Sequence, residues 1–155
     1  MTATNHALTG AIIGATIANP WVAMLAALLS HFVLDAIPHY DHVDPNSFIK
    51  TRQFAIRLLV DAALCGTLVI ALAILQPHNW WLMAICAFLG AAPDLVSANR
   101  WRHARQGKAA DWKPSAYARF ASKVQWFEHP IGAMVEVFWF GAVLTILISI
   151  LRIEG

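Results

Sequence analysis

The sequence predicts an all-α membrane protein: one domain, residues 1–155, forming an integral membrane helical bundle of about five transmembrane helices. Apolar residues make up 59% of the chain, above the ~45–50% of an ordinary soluble domain, and the mean hydropathy is +0.57. Charged residues are only 13% of the sequence. They are concentrated between long apolar runs, and runs of about 20 residues are typical of membrane-spanning helices.

Five apolar runs predict the spans in order. They cover residues 7–18, 21–37, 54–75, 80–96 and 131–151. Asn19 and Pro20 separate the first two runs, so these form a short helical hairpin, either spanning or re-entrant. Gly10 and Gly14 are four residues apart, which lets one helix backbone approach another closely. Because small residues also recur on the second helix, we expect the glycine face to contact that helix.

A cytoplasmic amphipathic helix is predicted within the basic loop 97–125. Tyr117, Phe120 and Val124 recur at helical spacing, with Phe127 continuing the pattern. Arg119 and Lys123 lie off that apolar face, as in helices that lie on a membrane surface. Anionic lipid is therefore the expected partner of this loop. No nucleic-acid recognition motif accompanies the positive charge, so nucleic acid is not an expected partner.

The basic residues also predict the orientation. The two longer connections, 38–53 and 97–125, carry nearly all of the Lys and Arg residues between the predicted spans, whereas the two short turns carry none. By the positive-inside rule the long connections and the N-terminus face the cytoplasm. The chain is then a multi-pass protein of the cell membrane with its C-terminus outside.

Ionisable side chains recur at the cytoplasmic ends of the predicted helices. His31 and Asp35 are four residues apart and share a helix face, and His39 follows directly after Pro38. The other members are His6, Asp61, Asp94, His129 and Glu136. Ionisable groups at membrane depth are costly and are by default candidates for function. Their shared depth on several helices predicts one common site.

Histidine and carboxylate ligands suit zinc or another divalent transition metal, and an incompletely coordinated ion leaves a position for substrate. The predicted ligands, sufficient for one or two ions, are His6, His31, Asp35, His39, Asp94 and His129. Glu136 or Asp61 is the candidate catalytic base that accepts a proton from the attacking water. Structural alternatives stay open: a His31–Asp35 pair that ties the bundle together, an Asp61–Arg57 ion pair, and a packing role for Glu136.

Three short motifs resemble the bacterial membrane-bound metal-dependent hydrolase family. They are Asn5-His6-Ala7-Leu8-Thr9-Gly10, Leu28-Leu29-Ser30-His31-Phe32-Val33-Leu34-Asp35 and Ala92-Pro93-Asp94. The His31–Asp35 segment is also similar to the HxxxD segment of zinc-dependent phospholipase C. The resemblance implies a bacterial inner membrane protein with His6, His31, Asp35 and Asp94 as metal ligands and His129 as a further one.

The expected function is metal-dependent hydrolysis of an ester or phosphoester of a lipid or membrane-associated molecule. Two other classes remain open. An ion- or proton-coupled transport protein also uses intramembrane His and carboxylate groups, and a non-catalytic scaffold uses a metal only to join helices.

Overall fold

A computed structural model describes residues 1–40, 52–96, 113–126 and 129–154 of the chain. Within these ranges the protein consists of six α-helices and one 3-10 helix, without a β-strand. The helices are α1 (Ala3–Thr16), α2 (Pro20–Asp35), α3 (Arg52–Leu75), α4 (Trp80–Ala91) with the 3-10 helix Ala92–Val96, α5 (Ala116–Val124) and α6 (Gly132–Glu154). The all-α prediction and the helix at the predicted amphipathic segment are confirmed.

Capping residues set the helix boundaries where the sequence predicted them. Asn19 accepts hydrogen bonds from the backbone N–H groups of Trp21 and Val22, and Pro20 occupies the first turn of α2. Proline fits that position because its missing N–H would have no partner there. Ser115 caps α5 by accepting from the N–H of Ala118 at 3.1 Å. These caps explain why the hairpin turn and α5 begin at these residues.

Helix α1 is the central helix of the bundle, and its neighbours run either antiparallel or parallel to it. Helix α4 is antiparallel to α1, because Gly90 lies against the start of α1 and Met83 lies against Gly14 near the end of α1. Helices α3 and α6 run parallel to α1, since Asp61 contacts Ala3 and Glu136 contacts Asn5 near their starts. Apolar residues of α1, α3, α4 and α6 form one core: Ala7, Leu8, Ala11, Leu72, Met83, Ala87, Val143 and Leu147.

The glycine face of α1 packs on α4, which corrects the predicted contact with α2. A Cβ atom at Gly10 would overlap the carbonyl oxygen of Cys86, and one at Gly14 would lie 2.7 Å from the Cα of Met83. The small residues of α2, Ala23 and Ala27, also pack against α4. Spacing in the sequence identifies a face suited to close packing, but it does not identify which helix occupies that face.

Among the described helices, two are long and apolar enough to cross a membrane. Residues Ala55–Leu75 of α3 have a mean hydropathy of 2.5 with 6% of the segment buried, and Gly132–Ile153 of α6 have 2.2 with 17% buried. Helices α2 and α4 are shorter apolar helices. The exposed side of α2 is apolar as well, because Trp21 is 79% exposed and Val33 is 63% exposed.

Candidate metal centre

The ends of three elements bring histidine and carboxylate groups together. His6 lies in the first turns of α1, His31 in the last turns of α2, and Asp94 in the 3-10 helix after α4. Each offers a ligand atom, and these atoms all lie within 4.8 Å of one another. Three atoms that bind one ion at about 2.1 Å lie about 3.4–3.6 Å apart in tetrahedral or trigonal geometry. The longest separation in the cluster would therefore have to shorten by about 1 Å for the three groups to hold one ion.

Asp35 lies between the two imidazoles. One of its oxygens, Oδ1, is 3.1 Å from Nε2 of His6 and also accepts a hydrogen bond from the amino group of Met1 at 2.8 Å. The other, Oδ2, is 3.3 Å from Nε2 of His31 and accepts from Nε2 of Gln125 at 3.0 Å. The carboxylate is thus buried but surrounded by polar partners, as a buried anion requires.

A backbone carbonyl determines the orientation and tautomer of His31. Its Nδ1 lies 2.9 Å from the carbonyl oxygen of Gly90, and a carbonyl oxygen only accepts hydrogen bonds. The hydrogen must therefore be on Nδ1. The opposite nitrogen, Nε2, faces the carboxylates of Asp35 at 3.3 Å and Asp94 at 3.9 Å. A lone pair facing two carboxylates is repelled unless a cation, either a proton or a metal ion, lies there.

His6 has one ring nitrogen without a partner. Its Nε2 faces Asp35, while Nδ1 is buried and has no hydrogen-bond partner among the described residues. The ring stacks on that of His31 with centroids 4.1 Å apart. Two protonated imidazoles in such a stack would repel each other, so at most one of the two rings carries a positive charge. The Nδ1 nitrogen of His6 is therefore a buried donor or acceptor that the described residues leave unused.

An open cavity of about 490 Å³ adjoins the cluster, and His31 and Asp94 form part of its lining. Helix α5 forms one wall, where the hydroxyl of Tyr117 donates to the carbonyl oxygen of Pro93 at 3.4 Å. Burial raises the pKa of the Tyr117 phenol, and the nearby Asp94 and Asp35 carboxylates raise it further. The phenol therefore stays protonated at neutral pH.

His39 and His129 lie outside the group of donor atoms found among the described residues. His39 is buried, its Nδ1 lies 2.9 Å from the carbonyl oxygen of Ile37, and its own carbonyl oxygen accepts from the N–H of His129. The ring of His129 accepts from the N–H of Ile131 at 3.3 Å, at the start of α6. These contacts join the chain after α2 to α6. Metal ligation by either histidine stays a prediction.

The two predicted catalytic carboxylates both bind backbone donors. Asp61 accepts from the N–H groups of Ala3 at 2.7 Å and Thr4 at 2.8 Å, and from the Thr4 hydroxyl. Glu136 accepts from the N–H of Tyr40 at 2.9 Å. Asp61 thereby caps the helix that carries His6. The guanidinium of Arg57, expected to pair with Asp61, lies over the ring of Tyr40 at 5.3 Å. The catalytic assignments stay predictions.

Replacing Asp61 by alanine is expected to destabilise the bundle by about 1–3 kcal/mol, because three donors at the start of α1 lose a charged acceptor. Thermal unfolding in detergent, followed by circular dichroism, measures the effect. Asp61→Asn keeps one acceptor oxygen and is expected to recover part of the loss. A melting temperature for Asp61→Ala equal to that of the wild type would contradict this anchoring role.

Sequence reasoning missed three groups at the site: the Gly90 carbonyl, Tyr117 and Gln125. A backbone carbonyl has no sequence signature, and Gln125 lies just after α5, far along the chain from Asp35. Tyr117 was assigned to a membrane-facing stripe, although that stripe also packs on the ring of Phe32. Residues 97–112 of the predicted basic loop, and Phe127, lie outside the described residues.

No protein-family model, curated protein or solved structure gives a significant match to this chain. The resemblance carried by the three short motifs therefore stays an expectation.

Proposed function

We propose that this protein is a membrane-embedded, metal-dependent hydrolase of an ester or phosphoester, acting on a lipid or membrane-associated substrate. The proposed cofactor is one or two divalent metal ions, with zinc as the first candidate. Its proposed ligands are His6, His31, Asp35 and Asp94. The observation that carries the proposal is Nε2 of His31, which is aimed at two carboxylates while Nδ1 is held by a backbone carbonyl. Metal-binding histidines are typically oriented by such a carbonyl.

The surface of the bundle supports the membrane assignment. Apolar helices at the core of a soluble protein are mostly buried, whereas only 6% of the apolar span of α3 and 17% of that of α6 are buried. Exposed apolar surface of this extent is stable in lipid and not in water. Helix α1 shares a core with both spans, so it lies at the same depth. The alternating helix directions support a five-span topology with the cluster at the cytoplasmic end.

Each residue of the proposed site has a separate role in the proposed reaction. A divalent ion would supply Lewis-acid polarisation of a phosphoryl or carbonyl oxygen. His31, held by Gly90, keeps its Nε2 directed at the cluster without reorganisation. Asp94 is one third exposed and lines the cavity, so it is reachable by a ligand there. Asp35 balances the positive charge of the cluster, and its bond to Gln125 joins α5 to the site.

A metal that only joins helices is the second candidate, because the cluster connects α1, α2 and the 3-10 helix. The cavity beside His31 and Asp94 favours the hydrolase, since a structural site is typically closed to ligands. A transport pathway would need polar groups that continue through the bundle. The core beyond the cluster is formed by apolar residues of α1, α3, α4 and α6.

Hydrolysis of a chromogenic phosphodiester by the purified protein in neutral detergent tests the proposal. Activity is expected with zinc, and it should be lost with a chelator and restored by added metal. Asp94→Asn is expected to lower kcat/KM at least about 100-fold, as for other removed metal ligands and their supports. His78→Ala, in the exposed turn before α4, is the control. Retained metal without any hydrolysis would favour the structural role instead.

A further inference from the structure

Two cations on α5 face the cavity. Arg119 and Lys123 are four residues apart, so they project from the same side of the helix, and both line the cavity that reaches His31 and Asp94. Both side chains are exposed. An interfacial helix that only binds the anionic membrane surface directs its cations to the lipid headgroups. Here the two cations border the open cavity beside the candidate metal centre.

Specific contacts hold α5 in this orientation. The ring of Phe32 on α2 contacts those of Phe120 and Tyr117, with centroids 5.3 and 6.3 Å apart. At the C-terminal end, Gln125 donates to Asp35 at 3.0 Å. Within this segment, Nη1 of Arg119 donates to the carbonyl oxygen of Pro114 at 3.4 Å, which places the guanidinium beside another residue of the cavity lining. The helix is therefore joined to α2 and to the cluster, and its cations face the cavity as a consequence.

The lining of the cavity matches a particular ligand chemistry. A guanidinium and an ammonium group on one wall suit a tetrahedral anion, because arginine binds two phosphate oxygens at once and lysine adds a compact charge. Much of the remaining lining is apolar and includes Pro93, Val96 and Ala121. A ligand that fits both parts carries a phosphate group attached to an apolar portion.

We propose that this cavity binds the phosphate group of the substrate, with Arg119 and Lys123 as the residues that select phosphoesters over uncharged esters. The proposal rests on the proposed function, since the candidate metal centre forms the other side of the same cavity. It narrows the substrate class from esters in general to phosphate esters. The phosphate can belong to a lipid headgroup or to a small molecule, and the chemistry of recognition is the same.

Binding measured apart from hydrolysis tests the assignment. The probe is inorganic phosphate, titrated calorimetrically into the zinc-loaded, full-length protein in neutral detergent. Arg119→Gln and Lys123→Gln are each expected to weaken phosphate binding about tenfold, the effect of one lost charge-assisted hydrogen bond. Metal content should stay equal to that of the wild type. Lys113→Gln, which removes the same charge from an exposed residue outside the cavity lining, should leave binding unchanged.

Kinetic constants and the affinity for a phospholipid provide two further tests of the assignment. With a soluble phosphodiester the two variants should raise KM more than they lower kcat, so the ratio of kcat/KM for the phosphodiester to that for an uncharged ester should fall. Tighter binding of detergent-dispersed phosphatidic acid than of inorganic phosphate identifies a lipid source, and the reverse order a small molecule. Wild-type phosphate affinity in both variants overturns the assignment, as does an equal loss in Lys113→Gln. Absence of bound metal instead overturns the proposed function, because metal content is measured separately.

Discussion

The substitution His31→Ala is expected to abolish stoichiometric binding of a divalent metal. The wild-type protein, dialysed against zinc in detergent and analysed by inductively coupled plasma mass spectrometry, should retain about one ion or two per chain. His31 provides the nitrogen aimed at both carboxylates, so its loss removes a ligand from the centre of the cluster. Removing the metal with a chelator should reproduce the effect.

Stability provides a second readout for the same variant. A ligand at about 100 times its dissociation constant stabilises the folded state by about 2.7 kcal/mol. Zinc should therefore raise the melting temperature of the wild type and leave that of His31→Ala unchanged. If His31→Ala fails to fold, Asp94→Asn serves in its place, because Asp94 is partly exposed at the cavity.

The control for metal binding is His78→Ala, since His78 is exposed in the turn between α3 and α4. It should retain the wild-type metal content and the wild-type response to zinc. A wild-type protein that binds no stoichiometric metal, or a His31→Ala variant that binds it normally, would show that the cluster is a network of histidine–carboxylate pairs. The cation beside His31 would then be a proton.

Gly10→Ala is expected to destabilise the bundle strongly, whereas Gly66→Ala should be tolerated. A Cβ atom at Gly10 meets the backbone of α4 at Cys86, and backbone cannot move aside as a flexible side chain can. Overpacking of this kind costs about 1–3 kcal/mol or more. Gly90 of α4 lies against His6 of α1 and accepts a hydrogen bond from His31 of α2, so metal affinity should fall together with stability.

Gly66 provides the matched control because a Cβ atom there meets no atom within 4 Å. The same chemical change should alter the free energy of unfolding by no more than about 1 kcal/mol, and in the stabilising direction where helix propensity dominates. The two variants can be compared by thermal unfolding in one detergent. Equal melting temperatures would refute the close contact between α1 and α4.

The helices and the location of the site were predictable from sequence for a simple reason. Apolar runs separated by turns produce helices that alternate in direction, so the start of one helix meets the end of the next. His6 at the start of α1 and Asp35 at the end of α2 must then lie at one end of the bundle, and the structure places them 3.1 Å apart. Asp94 lies in the 3-10 helix that follows α4, so the same rule places it at this end of the bundle.

Roles of individual carboxylates were not predictable, because they depend on which backbone groups lie nearby. Asp61 and Glu136 satisfy the same sequence criterion as Asp94: an acidic residue near the predicted cytoplasmic end of an apolar helix. In the structure, however, Asp61 binds the first N–H groups of α1 and Glu136 binds the N–H of Tyr40. Of these three carboxylates, that of Asp94 is the one directed at His31, with 3.9 Å between its Oδ1 and Nε2 of the imidazole.

Hydropathy and spacing by themselves determined that this chain is helical and that its ionisable groups gather at one end, because both follow from local pattern and alternating direction. Tertiary structure decided the rest. It selected α4 as the partner of the glycine face, aimed Nε2 of His31 at the two carboxylates through the carbonyl of Gly90, and placed α5 with its cations at the cavity. These features depend on contacts between segments that are distant along the chain, and such contacts produce no periodic pattern in the sequence.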